Sequence, residues 1–251
     1  NTIGNLKLLK SLYLHNTENK IKLPNEICGM TSLENISFVA ADVLPDEFYC
    51  MTNLQYIDIY NFQGCISSKI GNLNKLRHLR LTGHNKSNCY IPEEIGNCVS
   101  LETMIITCNL RGRIPETIGN LKNLVELDLA GLAGVSEYSN QLSGEIPSSI
   151  IGCEKLSRLY LHHNNLSGSI PPGLGNMLYL NYLVLYDNQM SGVIPEDLLS
   201  NTELWDRCWG FIVHNNSFRF VKKKFPNSIV EDIKKNSYDF PSYFSENKLT
   251  I

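Results

Sequence analysis

His162, Asp187 and His214 are chemically the most suggestive trio in this chain, because two imidazoles and a carboxylate are a ligand set that zinc accepts. A metal site would need all three to converge on one point. The simpler reading is three solvated polar positions, since no Cys-x-x-Cys pair or other dense ligand spacing accompanies them. No resident metal or other cofactor is expected. Catalysis would need a nucleophile with an oriented base, or paired carboxylates in a pocket. The sequence has no Gly-rich phosphate loop, nucleophile elbow or His-Glu-x-x-His, so a non-catalytic protein is expected. What remains is six histidines, twelve tyrosines and scattered arginines. Tyrosine and arginine on a rigid surface suit recognition, because they give large contact area at small entropic cost. Something must first gather them on one surface.

A repeat does so. Residues 164–176 read NNLSGSIPPGLGN, and 24 residues later the chain reads NQMSGVIPEDLLSN. Aligning on Leu-x-x-Leu-x-Leu places repeat starts at Leu9, Leu33, Leu54, Leu76, Leu101, Leu124, Leu156 and Leu180. A weaker ninth unit runs through Cys208, Phe211 and Val213. Eight of the ten prolines follow an apolar residue at one repeat position, and the third repeat has Ser67 there instead. In each unit an alternating stretch such as LSRLYLHHN predicts a short strand with one buried face. The following glycine turns the chain, an Ile is buried, and the proline precedes a helix-like apolar turn. One unit cannot bury its Leu and Ile face alone; a stack can.

On these residues the chain resembles the plant-type leucine-rich repeat, whose pattern is Leu-x-x-Leu-x-Leu-x-x-Asn-x-Leu-x-Gly-x-Ile-Pro. The match is strict in LYLHHNNLSGSIP and LVLYDNQMSGVIP and recognisable in MIITCNLRGRIP. The resemblance implies a leucine-rich repeat solenoid. That is a curved right-handed superhelix with a parallel β-sheet on its concave face and short helical or 3-10 turns on its convex face. About nine repeats are expected over residues 1–229, with an insertion near 130–139 and a capping tail over 230–251; the insertion reads first as a tolerated surface loop, and otherwise as a flap that brings Glu137 and Tyr138 to a ligand. Asn109, Asn164, Asn188 and Asn216 are expected to satisfy turn backbone groups. The corresponding positions in earlier repeats hold Ala41, Phe62 and His84, so the amino-terminal half needs other partners. The resemblance extends to ectodomains of plant leucine-rich repeat receptor kinases and to polygalacturonase-inhibiting proteins. It implies a non-catalytic module that binds a protein or peptide on its concave face. An intracellular scaffold with the same repeats is the alternative. An ice-matching surface is disfavoured, because the exposed columns are chemically varied. Receptors of this kind often carry an Arg-x-Arg pair on one strand, and here those positions are His78 and Arg80.

The register predicts what lines that face. Its central column reads Tyr13, Ser37, Asp58, Arg80, Ile105, Asp128, Tyr160, Val184 and Ile212. The next reads His15, Val39, Tyr60, Thr82, Thr107, Ala130, His162, Tyr186 and His214. Two partner-binding clusters follow: Tyr56, Tyr60, Arg77 and Arg80 in one, Tyr160, His162, Tyr182 and Tyr186 in the other. Exposed strand positions favour Tyr and Thr anyway, which is the plainer explanation. Histidines on this face are expected to gain charge below about pH 6.

Eight cysteines fall mostly in apolar slots. Cys98 and Cys153 take the place that Leu6 and Leu121 hold elsewhere, while Cys108 counts as outward-facing. Cys28 with Cys50, and Cys65 with Cys89, sit close enough in adjacent repeats for bridging to be conceivable. Of four Asn-x-Ser sequons, Asn85 and Asn165 follow their strands and are the glycosylation candidates. A net charge of −3 gives no electrostatic case for nucleic acid or an anionic membrane surface. No segment approaches 18 consecutive apolar residues, so no membrane span is expected in this chain. The resemblance points to an extracellular or cell-surface location, and the thiol-like cysteines to a cytoplasmic alternative.

Overall fold

The computed structural model describes residues 2–15, 21–40, 42–83, 88–134, 139–201, 211–213 and 215–219. Within them nine strands form one parallel sheet in strict chain order: Ser11–Leu14, Asn35–Val39, Tyr56–Tyr60, His78–Thr82, Thr103–Thr107, Glu126–Asp128, Arg158–Tyr160, Tyr182–Val184 and Phe211–Ile212. The register never slips. Tyr13 aligns with Ser37, then Asp58, Arg80, Ile105, Asp128, Tyr160, Val184 and Ile212. Side chains alternate across a strand, so the leucines between these positions all turn to the other face. Ile57, Leu79, Met104, Leu127, Leu159 and Leu183 are each at most 1% exposed and form one continuous rib of the core.

The last described return to the sheet contains the short α-helix Glu196–Leu199, and the earlier ones pass through a 3-10 turn, as in Asn25–Gly29, Asp46–Cys50, Glu93–Asn97 and Glu116–Asn120. The residue before each of these is proline in extended conformation, as at Pro24 and Pro92. Proline suits this place because its ring fixes φ and no donor is needed there. Where the proline is missing, Ser67 caps the turn with its side chain instead, accepting a hydrogen bond from the Lys69 amide at 3.3 Å.

A second line of short parallel strands, which the sequence pattern did not announce, runs beside the main sheet. Arg111–Gly112, Gln141–Gly144 and Asn165–Leu166 form one set, and Ser191–Val193 pairs with Ser217–Arg219. Glycines make it possible: Gly168 has φ +75°, and a Cβ there would meet the Glu145 side chain at 2.6 Å.

Asparagines stitch the carboxy-terminal repeats together. Asn164 accepts from the Leu142 amide at 2.8 Å and donates to the Leu129 and Leu161 carbonyls. Asn188 and Asn216 repeat this pattern one and two units further on. In the repeat before Asn164, the role falls to Asn140, whose Oδ1 accepts from Leu110 and Cys108. Asn109, expected in that role one repeat earlier, is buried with left-handed backbone at φ 59°. The amino-terminal half uses packing instead, with Phe62 fully buried in the asparagine position.

Two cysteine expectations change. Cys108 is fully buried rather than outward-facing. Its repeat is one residue short between buried Ile106 and Leu110, which turns the Cys108 side chain into the apolar core. Cys65 and Cys89 are joined as a disulfide, whereas Cys28 and Cys50 are free thiols. Cys98 and Cys153 lie in the core as expected, donating to the Ile70 and Ile118 carbonyls at 3.3 and 3.1 Å. Leu6, in the equivalent slot of the first repeat, is 49% exposed. Glu137, Tyr138, Ala41, His84, Asn85, Cys208, His214 and the tail over 230–251 lie outside the described residues.

Candidate functional site

The unbroken register places the tyrosines and histidines of successive strands side by side on the face opposite the leucine core. Two groups form, on strands four apart, which at sheet spacing is roughly 20 Å.

The first centres on Asp58. The Tyr60 hydroxyl donates to Asp58 Oδ2 at 3.0 Å and the Tyr56 hydroxyl donates to the same oxygen at 3.3 Å. That bond and the neighbouring charge push the Tyr60 phenol up from its ordinary value, and burial does the same to Tyr56. Arg80, next in the central column, holds its guanidinium carbon 5.8 Å from the Tyr60 ring centroid, within cation–π range. His78 stands 5.9 Å from the Tyr56 ring, and His15 stands 6.1 Å from Tyr60. Arg77 does not join this group. It precedes the strand, and its guanidinium is tied to Glu102 Oε1 at 2.7 and 2.9 Å, beside a depression of about 360 Å³ that Gln55, Lys75 and Asn123 also line.

The second group is more tightly built. The His162 ring stacks on Tyr186 with centroids 4.6 Å apart, and Tyr186 meets His163 edge-on at 4.8 Å. Tyr160 touches His162 at 6.4 Å and Tyr182 at 6.5 Å. Arg158 anchors the border through a 2.8 Å ion pair with Glu126, which raises its pKa. Behind the rings, His163 Nδ1 meets Asp187 Oδ2 at 2.8 Å, and Asn215 donates to Asp187 Oδ1. His163, Asp187 and Asn215 all have φ between 52° and 54°, the same left-handed turn in three consecutive repeats. Burial, reinforced by the charge of His163, depresses the His162 pKa to about 4. His162 therefore does not gain charge near pH 6, contrary to the expectation for this face.

Asp187 bonds to His163 and Asn215, and among the described residues no three His, Cys, Asp or Glu side chains gather to hold an ion. Asn165 is exposed at the start of its short strand, where a glycan would clear the sheet. Among the described residues no helix is long and apolar enough to cross a membrane. Two features escape sequence reasoning. Asp58 is 5% exposed although its column faces outward, and Arg77 precedes its strand and is tied to Glu102.

The Leucine Rich Repeat family model matches residues 155–177. No curated protein matches the chain significantly. Among solved structures, the plant peptide hormone receptor RGFR1 in complex with RGF2 is 30% identical, with a TM-score of 0.71 over 87% of this chain and 34% of that one. A TDR receptor is 27% identical, with a TM-score of 0.69 over 86% of this chain and 41% of the receptor. The Arabidopsis receptor kinase HAESA, in complex with the peptide hormone IDA and the co-receptor SERK1, is 25% identical, with a TM-score of 0.64 over 79% and 32%. The chain thus spans about a third of RGFR1 and HAESA and about two fifths of the TDR receptor.

Proposed function

We propose that this leucine-rich repeat protein, similar in fold to plant receptor ectodomains, is a non-catalytic module that binds an extended peptide or the edge of a partner protein along its concave sheet. The observation that carries the reading is the stacked Tyr160, His162, Tyr182 and Tyr186 cluster, an ordered aromatic surface on a rigid sheet. Aromatic anchors of this type supply most of the energy of an interface. The Tyr56, Tyr60 and Arg80 group offers a second contact on the same sheet. A ligand reaching both must be extended by roughly 20 Å, which a small molecule is not. RGFR1, described with RGF2, and HAESA, described with the peptide hormone IDA, support the peptide class. Their receptor character supports an extracellular or cell-surface location, and so does the Cys65–Cys89 disulfide, a bond that persists in oxidising compartments.

Photo-crosslinking tests this. A peptide selected from a random library for binding to the full chain is resynthesised with a diazirine side chain, irradiated in complex and mapped by mass spectrometry. Adducts on the strands carrying Tyr160, Tyr182 and Tyr186 support the concave face; adducts confined to the 3-10 turns remove it.

A further inference from the structure

Asp58 stands at the middle of the concave face, yet it is 95% buried by exposure and one of its oxygens is unused. Oδ2 receives both tyrosine hydroxyls, whereas Oδ1 is covered and accepts no hydrogen bond. The Oγ of Ser37, the neighbour in register, is likewise buried without a partner. Buried polar atoms are normally satisfied, and a carboxylate oxygen is among the costliest to leave bare. Asp58 makes no ion pair among the described residues. The cation beside it, Arg80, lies over the Tyr60 ring instead.

We propose that Asp58 Oδ1 is the seat for a primary ammonium, the side chain of a lysine in a peptide lying on this sheet. The inference rests on the concave-face reading above and names the chemistry of one subsite within it. A single free oxygen suits a compact point charge. A guanidinium fork needs two oxygens, and Oδ2 is already taken. Tyrosine faces hold a cation alongside the carboxylate, as the Arg80 guanidinium over Tyr60 demonstrates within the chain itself. Charge agrees: Asp58 and Asp128 outnumber Arg80 in the central column. Tyr56 and Tyr60 bond only to Oδ2, so an ammonium that displaces the side chains over Oδ1 leaves those two hydroxyl bonds in place and meets a single free oxygen.

The experiment titrates acetyl-Gly-Lys-Gly-amide into the full chain carrying ¹³C-labelled tyrosine and follows the ring signals by NMR. The matched peptide with Nε-acetyl-lysine and one with arginine serve as comparisons. The lysine peptide should shift the Tyr56 and Tyr60 signals saturably. Acetylation should abolish the effect, and arginine should weaken it. Asp58→Asn should weaken binding by about tenfold or more. The acetyl-lysine comparison uses unaltered protein, so it decides the matter even where Asp58→Asn folds poorly. Equal responses to lysine and acetyl-lysine, or no response of these two rings, would overturn the assignment. If that happens while Tyr160→Ala with Tyr186→Ala still weakens the library-selected peptide, the ammonium seat is wrong and the concave face stands.

Discussion

The His162 imidazole lies flat on the Tyr186 ring, centroids 4.6 Å apart and planes within 16°. Burial, reinforced by the neighbouring His163 charge, holds the ring neutral down to about pH 4, against an ordinary value of 6.5. Above the ordinary value both folded and unfolded forms are neutral and the residue adds no pH dependence. As pH falls below it, the unfolded chain takes up the proton first, so stability declines through this window. Thermal melts should show the protein losing stability between about pH 6.5 and about pH 4, and His162→Gln should flatten that slope. An unchanged slope would show that His162 titrates normally in the folded chain.

Asn164 and Asn165 are neighbours with opposite fates. Asn164 is buried and bonded to three carbonyls and one amide across repeats. Asn164→Ala leaves those groups unpaired and should cost about 2–3 kcal/mol. Asn165→Ala, at an exposed position, should change stability by less than about 0.5 kcal/mol. Urea unfolding of the two variants checks the contrast.

Cys108→Ser should be more harmful than Cys98→Ser. The Cys98 thiol already donates to the Ile70 carbonyl, so a serine hydroxyl finds an acceptor. A hydroxyl at Cys108, in an apolar slot, should cost about 1–3 kcal/mol. Counting along the repeat gives the reverse order, so this pair of melts separates the structural placement from the sequence pattern.

That reversal shows where sequence reasoning stops. The central column from Tyr13 to Ile212 was readable, because period-two alternation and in-phase repeats leave one way to stack the strands. Cys108 was not, since losing one residue between Ile106 and Leu110 changes which side chain turns inward. The second line of strands was hidden because they are two to four residues long and include Gly112, Gly144 and Gly192, which carry no alternating apolar signal. Asp58 reads as exposed by parity, whereas the structure buries it with both tyrosine hydroxyls of its strand on one carboxylate oxygen.

The Cys65–Cys89 bond should leave native protein with two fewer titratable thiols than its eight cysteines. Its loss on reduction should destabilise the fold by roughly 3 kcal/mol. Intact mass of secreted protein checks the bond and, at the same time, whether Asn165 carries a glycan. Eight reactive thiols and a bare mass would favour the intracellular alternative.

The most direct test of the concave face is the affinity of a library-selected peptide for paired variants, measured by titration calorimetry. Tyr160→Ala combined with Tyr186→Ala should weaken binding by at least about 2 kcal/mol with little effect on folding. Lys122→Ala and Glu154→Ala disrupt a 2.9 Å ion pair on the opposite side and should leave affinity within about 0.5 kcal/mol. Equal losses on both sides, or no loss from the tyrosine pair, would contradict the account.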